Sequence, residues 1–474
     1  MSNEYPPEVV ADLIRRNAIL ENENAELRRL IVQLREKVVE LEAKLAAAQK
    51  NSRNSSKPPS SDITKPKTRP GRGKKRKIGA QPGHEAKFRV PLPSDEIDEH
   101  KVYEPESLSC GCGGRLLAEP EGDRVRQQID LPERPLRQIE YRGKAYRCDR
   151  CGRRHYGQIP RQELSTGFIG PNLAAVLGFL KIKAHASYTA LSCFTGEVLG
   201  CRVSRGELAK TIRKISKSLK APYEEALSAL PEEPALNIDE TGHKENGHRM
   251  WTWVFRAPLF AVFHVSFQRS SEVLKSVLGL NFKGLLGCDY FSAYHKFLKD
   301  GQAEAQFCLA HFIRDVRFLA DSGDQEVKGY ALRLLVRLRR LFRLYHRAME
   351  DPAIWDKLRR CGQRLNREAM DAPSAKEAQN IARRFSLHGD SYLRFIEHPE
   401  LEPTNNLAEQ AIRFVVLDRA VTQGTRSENG RNWSERAWTA NATCSMRKYS
   451  LFSFLKQAIN SFFSQTSPPS LLRL

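Results

Sequence analysis

Three acidic residues occupy positions from which they could hold divalent cations. The segment PALNIDETGHKE contains an apolar run ending at Asp239, and a second apolar run, GLLGCDYF, delivers Asp289. Glu409 lies in PTNNLAEQAIRFVV, a pattern that predicts a helix beginning at Thr404 or Asn405. Carboxylates suit Mg²⁺ or Mn²⁺, and two such ions about 4 Å apart support in-line displacement at a phosphodiester. Asp239, Asp289 and Glu409 are therefore candidate catalytic residues and ligands of two metal ions.

Residue type alone does not single out these acids. The chain contains 56 Asp and Glu residues, and Glu240, Asp315 or Glu402 would serve equally well by composition. The chosen three are favoured by position, since two end apolar strands and one lies in a largely buried helix. His311 and Arg314, in CLAHFIRD, form a second polar pair one helical turn apart. They could contact the scissile phosphate or support the site from behind.

Four cysteines have the pattern of a metal site. Cys110 and Cys112 lie in CGCGG, and Cys148 and Cys151 lie in CDRCG, around strand-like segments such as QIEYRGKAYRC. Four thiolates would hold one structural Zn²⁺ and stabilise a small module, predicted over residues 91–165, that has little core. The first pair has one intervening residue instead of the usual two, so His155 is an alternative ligand.

The charge balance indicates a polyanionic partner. The 474 residues include 77 Lys and Arg, for a net charge of +21, and neutralised phosphates release counterions that drive binding. Charge alone does not separate nucleic acid from an acidic membrane surface, but nucleic acid is favoured. The longest apolar stretch, NLAAVLGFL, is far shorter than a membrane span, and the N-terminus lacks a signal-peptide core. These features predict a cytoplasmic protein that associates with nucleic acid and has no membrane partner.

Leucines recur every seven residues near the N-terminus, at Leu13, Leu20, Leu27, Leu34 and Leu41. With these at heptad position d, position a is occupied by Val10, Asn17, Asn24, Ile31, Val38 and Leu45. The flanking charges pair between heptads as Arg16–Glu21, Glu23–Arg28 and Lys37–Glu42. This pattern predicts a parallel coiled coil over 8–48, and hence a homodimer or higher oligomer. The alternative is one long amphipathic helix packed on its own protein.

Several segments carry cations suited to DNA. Residues 49–90 have the composition of a disordered linker, and the KKRK run inside it could track phosphates or simply be solvated. Residues 166–225 have the dimensions of a helix-turn-helix, although an ordinary helical pair explains the pattern nearly as well. The candidate DNA-binding residues of the chain are Lys74, Lys75, Arg76, Lys77, Arg205, Lys210, Arg213, Arg413 and Arg426. Arg426 could instead cap a loop.

The order of elements from 226 to 460 predicts a ribonuclease-H-like α/β core. An apolar strand, two paired strands, a helix, a second apolar strand and a short strand entering a helix follow one another, and such a fold can bring strand-end carboxylates together. An Arg- and Leu-rich stretch at about 317–400 is predicted to be a helical insertion. The whole chain is thus expected to be a multidomain α+β protein.

The chain resembles transposases of the insertion sequence sixty-six family over nearly its whole length. The resemblance rests on the following segments: NSRNSSKPPSSD, GAQPGHE, CGCGG, CDRCG, NIDET, CDYFSAY, CLAHFIRD, TNNLAEQAIR and GTRSENG. It implies an Asp-Asp-Glu triad, carried here by Asp239, Asp289 and Glu409, together with a zipper, a zinc-binding module and a helical insertion. It is also compatible with accessory transposition proteins. The sequence departs from the family at Gln410, where Arg is usual, and in the shorter first cysteine pair.

Two classes of function remain to be weighed. The first is a DNA transposase that cuts at the ends of an insertion sequence and transfers the freed 3′-hydroxyl to target DNA. The alternative is a non-catalytic regulator that binds DNA through its zipper, basic linker and zinc module. The regulator has no need of two strand-end aspartates and a helix-borne glutamate. A scaffold dimerised by the zipper leaves the basic excess unexplained.

Overall fold

The computed structural model describes residues 7–48, 90–117, 125–160 and 167–474. Helix α1 spans Pro7–Ala48, which confirms a continuous helix over the predicted zipper. Its five heptad leucines are each between 53% and 57% exposed in the single chain. The predicted linker, apart from Val90, and the KKRK run lie outside the described residues.

The cysteine-containing region is a small, open unit. It contains an antiparallel pair of short strands, β1 (Ala145–Arg147) and β2 (Arg154–Tyr156). No described residue of 90–117 or 125–160 is buried. Without an apolar core, such a unit needs another source of stability, of which a structural metal is one.

The centre of the protein is a five-stranded mixed sheet with the order β5-β4-β3-β6-β7. Its strands are β3 (Ala235–Glu245), β4 (His248–Arg256), β5 (Ala261–Ser266), β6 (Leu285–Cys288) and β7 (Glu304–Phe307). The first three form an antiparallel meander, whereas β6 and β7 run parallel to β3. Asn246 and Gly247 connect β3 to β4 with φ of 49° and 84°, as a two-residue type I′ hairpin turn requires.

Helices connect and cover these strands. Those that follow β5, β6 and β7 in the core are α6 (Ser271–Leu278), α7 (Ser292–Asp300) and α8 (Leu309–Ala320). Three long helices occupy the predicted insertion: α9 (Gln325–Ala348), α10 (Trp355–Met370) and α11 (Lys376–Leu393). Their apolar faces share one buried cluster with the sheet, in which Leu334 and Phe385 join Phe312 of α8. The insertion therefore packs firmly on the core.

The predicted helix-turn-helix region forms a second core with the C-terminal helices. Before the sheet come α2 (Pro171–Lys183), α3 (Tyr188–Cys193), α4 (Arg205–Ser218) and α5 (Lys220–Ala229). After the insertion come α12 (Asn406–Thr422), α13 (Glu428–Met446) and α14 (Leu451–Ser464). Leu177, Leu208 and Ile212 are buried together with Phe454 and Leu455. The helical segment thus depends on residues more than 200 positions downstream.

Helix α13 covers the open edge of β5. Three of its side chains accept hydrogen bonds from alternate N–H groups of that strand: Glu435 from Val265, Thr439 from Phe263 and Thr443 from Ala261. This helix therefore closes one side of the sheet. An unpaired strand edge would invite association with other chains. Among the described residues, no helix combines the length and apolarity needed to cross a membrane.

Candidate active site

The sheet register brings the two candidate aspartates together. In the parallel pair β3–β6, Asn237 is the partner of Gly287. Asp239 and Asp289 each follow two residues later, so the same register places them side by side at the end of the sheet where β6 finishes. The predicted strand end at Asp239 is wrong, because β3 continues through Asp239 to Glu245 in its pairing with β4. The second prediction is confirmed, since β6 ends at Cys288, directly before Asp289.

Asn405 fixes the start of α12 against β3 and so positions Glu409, which lies in the first turn of that helix. The side-chain amide of Asn405 donates a hydrogen bond to the carbonyl of Ile238 at 2.7 Å and accepts one from the Asn237 amide at 3.0 Å. Its backbone N–H donates to the Sγ of Cys308 at 3.1 Å. The predicted helix start is therefore confirmed, but Asn405 uses its side chain to dock on the sheet and not to cap the helix.

Asn405→Ala should destabilise the protein and displace α12. The substitution leaves the amide of Asn237 and the carbonyl of Ile238 without partners in a buried setting, at a cost of about 1–3 kcal/mol in the free energy of unfolding. Chemical denaturation would measure the loss. The adjacent Asn406→Ala, at an exposed position, is the matched control and should change stability by less than about 0.5 kcal/mol.

The carboxyl groups of the candidate acids repel one another at this end of the sheet. Burial raises the pKa of Asp239 well above its usual range, and the charges of Glu240, Asp289 and Glu409 raise it further. Burial and the charge of Glu240 raise the pKa of Asp289 to about 7, against the opposing effect of Arg269. The Oδ1 atom of Asp289 is also buried without a hydrogen-bond partner among the described residues. Crowded acids with an unsatisfied oxygen fit hard divalent cations, which would hold them ionised.

Stability should depend on pH through Asp289. A carboxyl whose pKa is about 7 in the fold and about 4 in the unfolded chain favours the folded state below pH 4. That contribution is lost as pH rises through 7. In EDTA, Asp289→Asn should therefore melt at a higher temperature than the unmodified protein at pH 8, with a smaller difference at pH 5. Mg²⁺ at pH 8 should raise the melting temperature of the unmodified protein but not of the variant. Glu402→Gln, at an exposed position, should behave like the unmodified protein.

Glu240 is held by its own partners. The guanidinium of Arg269 donates to its Oε1 at 2.6 and 2.9 Å, and the hydroxyl of Tyr294 donates to its Oε2 at 2.7 Å. These long-range contacts leave no local signal in the sequence. Of the other two alternatives, Asp315 is paired with Arg384 of the insertion at 2.6 Å, and Glu402 is exposed.

His311 and Arg314 face Glu409. The Nη2 of Arg314 and the Nδ1 of His311 lie 3.3 and 3.6 Å from its Oε1. Burial, followed by the charge of Arg314, lowers the pKa of His311 to about 3, so its imidazole is neutral near pH 7. Cys308, His311 and Glu409 have donor atoms within 4.8 Å of one another. The three candidate acids are not gathered that closely within the described part of the chain.

The cysteines are assembled as two separate pairs. Hydrogen bonds from the backbone of Gly114 and from Cys110 lower the pKa of Cys112. Hydrogen bonds from the backbone of Cys151 and Arg150, and then from the Cys151 thiol, lower the pKa of Cys148. A lowered thiol pKa favours the thiolate form that binds metal, in Cys112 and in Cys148. In the described residues, no three of these four sulfurs, with or without His155, lie within 4.8 Å of one another.

Five candidate DNA-binding residues lie in the described chain and are exposed: Arg205, Lys210, Arg213, Arg413 and Arg426. The first three lie on the solvent side of α4, opposite the buried Leu208 and Ile212. Lys210 is paired weakly with Glu207 at 3.7 Å. These positions are accessible to DNA, and contact with it remains a prediction.

Comparison with known proteins places the chain. The family model described as "Transposase IS66 family" matches residues 166–432, more than half of the chain. The chain belongs to this family. A model described as the zinc-finger binding domain of transposase IS66 matches residues 107–152, and a family of unknown function matches residues 6–89.

A similar sequence occurs in Sinorhizobium fredii. The IS66-family chain is 24% identical over 396 residues to the uncharacterized protein y4hP of Sinorhizobium fredii (strain NBRC 101917 / NGR234), covering 75% of this chain and 70% of that protein. The family match confirms the resemblance given by the sequence motifs. The protein is a DNA transposase with a zinc-finger module, and DNA is its partner.

Proposed function

We propose that this transposase cuts DNA at the ends of its insertion sequence and joins the freed 3′-hydroxyl to target DNA, using Asp239, Asp289 and Glu409. The observation that carries the proposal is the juxtaposition of the two aspartates by the β3–β6 register, with Glu409 close enough for its charge to raise the pKa of both. A regulator that only bound DNA would gain nothing from this buried repulsion.

The sheet supports a ribonuclease-H-like core. An antiparallel meander is followed by two parallel strands, and the first strand is central in the order β5-β4-β3-β6-β7. This arrangement supports the core that we infer from the order of elements along the chain. The central strand carries the first acid, its parallel neighbour delivers the second, and a later helix supplies the third. Such a sheet end can gather carboxylates on metal ions.

Each side chain has a distinct part in this proposal. Asp239 and Asp289 would be shared between two Mg²⁺ or Mn²⁺ ions, and Glu409 would complete one coordination sphere. When bound, the two ions supply the charge that activates the attacking oxygen and stabilises the leaving oxygen. Arg314 donates a hydrogen bond to the Glu409 carboxylate at 3.3 Å, and neutral His311 lies beside it at 3.6 Å. Arg269 and Tyr294 hold Glu240, so that this nearby acid keeps a fixed orientation.

A cleavage assay tests the proposal. Full-length protein would be incubated with labelled duplexes that contain the native element's ends, in Mg²⁺ and separately in EDTA. Strand cleavage that leaves a 3′-hydroxyl, and that occurs only with the divalent cation, is the expected result. Bound but uncut DNA under all conditions that support folding would favour the regulator.

We also propose that Cys110, Cys112, Cys148 and Cys151 bind one structural Zn²⁺. The lowered pKa values of Cys112 and Cys148, the lack of buried residues in the described part of this region and the family match support it. Binding requires the two pairs to lie closer to one another than they do in this structure, where no three of these sulfurs lie within 4.8 Å of one another. His155 is the alternative ligand.

Purified protein should therefore carry about one tightly held Zn²⁺. Cys148→Ser should release the ion and make residues 100–160 more susceptible to proteolysis, as measured by metal analysis and limited digestion. Cys193→Ser, at an exposed cysteine outside the module, should retain the ion. Absence of zinc from protein purified without chelators would contradict the proposal.

A further inference from the structure

The outer face of α9 carries a band of cations. Its members are exposed and lie on one side of the helix: Arg333, Arg339, Arg340, Arg343 and Arg347. The opposite face, with Leu334, Leu338 and Leu341, is buried in the main core. No Asp or Glu occurs between Glu326 and Glu350. We call these five arginines the α9 band.

Two acids of the insertion pair with arginines outside the α9 band. Glu368 is paired with Arg337 at 2.6 Å and with Arg364 at 3.1 Å, and Asp356 is paired with Arg359 at 2.7 Å. Within the described part of the chain, no member of the α9 band has an ion-pair partner. Like charges one turn apart repel each other on a helix, so the band carries electrostatic repulsion that an anionic partner would relieve.

The dimensions of the band match duplex DNA. Arg333 and Arg347 are 14 positions apart, which at a rise of about 1.5 Å per residue corresponds to roughly 21 Å. Duplex DNA rises about 3.4 Å per base pair, so the band extends along about six base pairs. Guanidinium groups bind phosphates with two parallel hydrogen bonds. Exposed Leu332 and Val336 lie within the same face, where aliphatic groups can contact sugars.

The insertion is also fixed relative to the end of the sheet that carries the candidate aspartates. On α11, Arg384 lies over the ring of Tyr290 at 4.8 Å, and Tyr290 directly follows Asp289. Helix α9 shares its core with α8, whose His311 and Arg314 face Glu409. DNA bound to the outer face would therefore be held at a defined position relative to the carboxylates.

We propose that the α9 band binds the phosphate backbone of duplex DNA without regard to sequence. Its arginines are distinct from the candidate DNA-binding residues named from the sequence. The inference rests on the proposed function, since a transposase must hold DNA against its carboxylates. Its test uses binding without cleavage, so that the two can fail independently.

The test compares salt dependence. Full-length protein would be titrated onto a labelled 30-base-pair duplex unrelated to the element, in EDTA, over a series of KCl concentrations. The logarithm of the affinity falls with the logarithm of the salt concentration, and each lost phosphate contact reduces the magnitude of this slope by about 0.9. R340Q/R343Q/R347Q should therefore lower the slope by about 2 to 3 and weaken binding at low salt at least about tenfold. R340K/R343K/R347K should keep most of the slope.

A matched variant distinguishes the effect of the α9 band from the effect of removing the same number of positive charges elsewhere. K283Q/K299Q/K456Q removes three exposed cations elsewhere and should change the slope by less than about 1. Thermal melting would verify that all variants fold. An unchanged slope for R340Q/R343Q/R347Q, or an equal loss in the control, would overturn the proposal. A change of oligomeric mass with unaltered DNA binding would instead assign the band to a second copy of the chain. Asp289→Asn should bind the duplex normally, whichever way cleavage turns out.

Discussion

Asp239→Asn, Asp289→Asn and Glu409→Gln should each reduce strand cleavage by at least roughly 10³-fold, equivalent to about 4 kcal/mol of transition-state stabilisation, while DNA binding stays largely intact. An amide keeps the shape of the side chain but loses the charge that holds a divalent cation. Cleavage of labelled ends would be measured under single-turnover conditions, and binding would be measured by anisotropy in EDTA.

The controls for this result use the neighbouring acids. Glu402→Gln changes an exposed carboxylate seven positions before Glu409 and should cleave normally. Glu240→Gln keeps a side chain that can still accept a hydrogen bond from Tyr294, but it weakens the pairing with Arg269. It should reduce cleavage less than the three candidate substitutions do. Normal cleavage by any one of the candidate variants would remove that residue from the site.

The aspartate pair could be predicted from the sequence because its signal is local. The apolar run before Asp239 and the run that delivers Asp289 predict strands β3 and β6, although β3 continues past Asp239 to Glu245 because its second half pairs with β4. Parallel pairing then supplies the rest, since register fixes which residues lie side by side. The paired strands β4 and β5 and the helix beginning at Asn406 followed from pattern in the same way.

The supporting contacts could not be predicted, because they join residues far apart in the chain. Asn405 has the sequence context of a helix cap, yet its amide docks on β3, 167 and 168 positions away. The Arg269 and Tyr294 contacts to Glu240 depend on how α6 and α7 pack. Likewise, the apolar stripes of α4 and α14 show that each helix is half-buried. The stripe does not indicate which other element of the protein the helix packs against. Their union in one core is set by tertiary packing.

The zipper gives the second large expected effect. Deleting residues 1–48 should leave the fold of the core intact but reduce paired-end cleavage at least about tenfold. Helix α1 has 42 residues and is about 63 Å long at 1.5 Å per residue, and its heptad leucines are more than half exposed in the single chain. A helix with this much uncovered apolar surface gains stability by pairing. Pairing would raise the effective concentration of one catalytic domain near the other, as holding two DNA ends together requires.

We expect two asparagines to set the register of the predicted helix pair. Asn17 and Asn24 occupy successive a positions, where each can hydrogen-bond its counterpart in a parallel, in-register partner. In the single chain, the Asn17 amide donates to Glu21 at 3.3 Å, a weak local bond that pairing would replace. Asn17→Ile with Asn24→Ile should raise the melting temperature of the helix pair, because buried amides are exchanged for apolar contact. The same change should loosen control over the number of chains.

The decisive measurement is the mass of the isolated peptide 1–48 at micromolar concentration, by sedimentation equilibrium, with circular dichroism for helix content. We expect a helical dimer for the natural peptide and a mixture of dimers and larger species for the double isoleucine variant. A cysteine added at the N-terminus should form a disulfide between chains readily if they are parallel, because the two ends then meet. A monomeric, unfolded peptide would exclude the zipper. An antiparallel pair would exclude the predicted register, because Asn17 and Asn24 would then face apolar positions and their amides would be buried without partners.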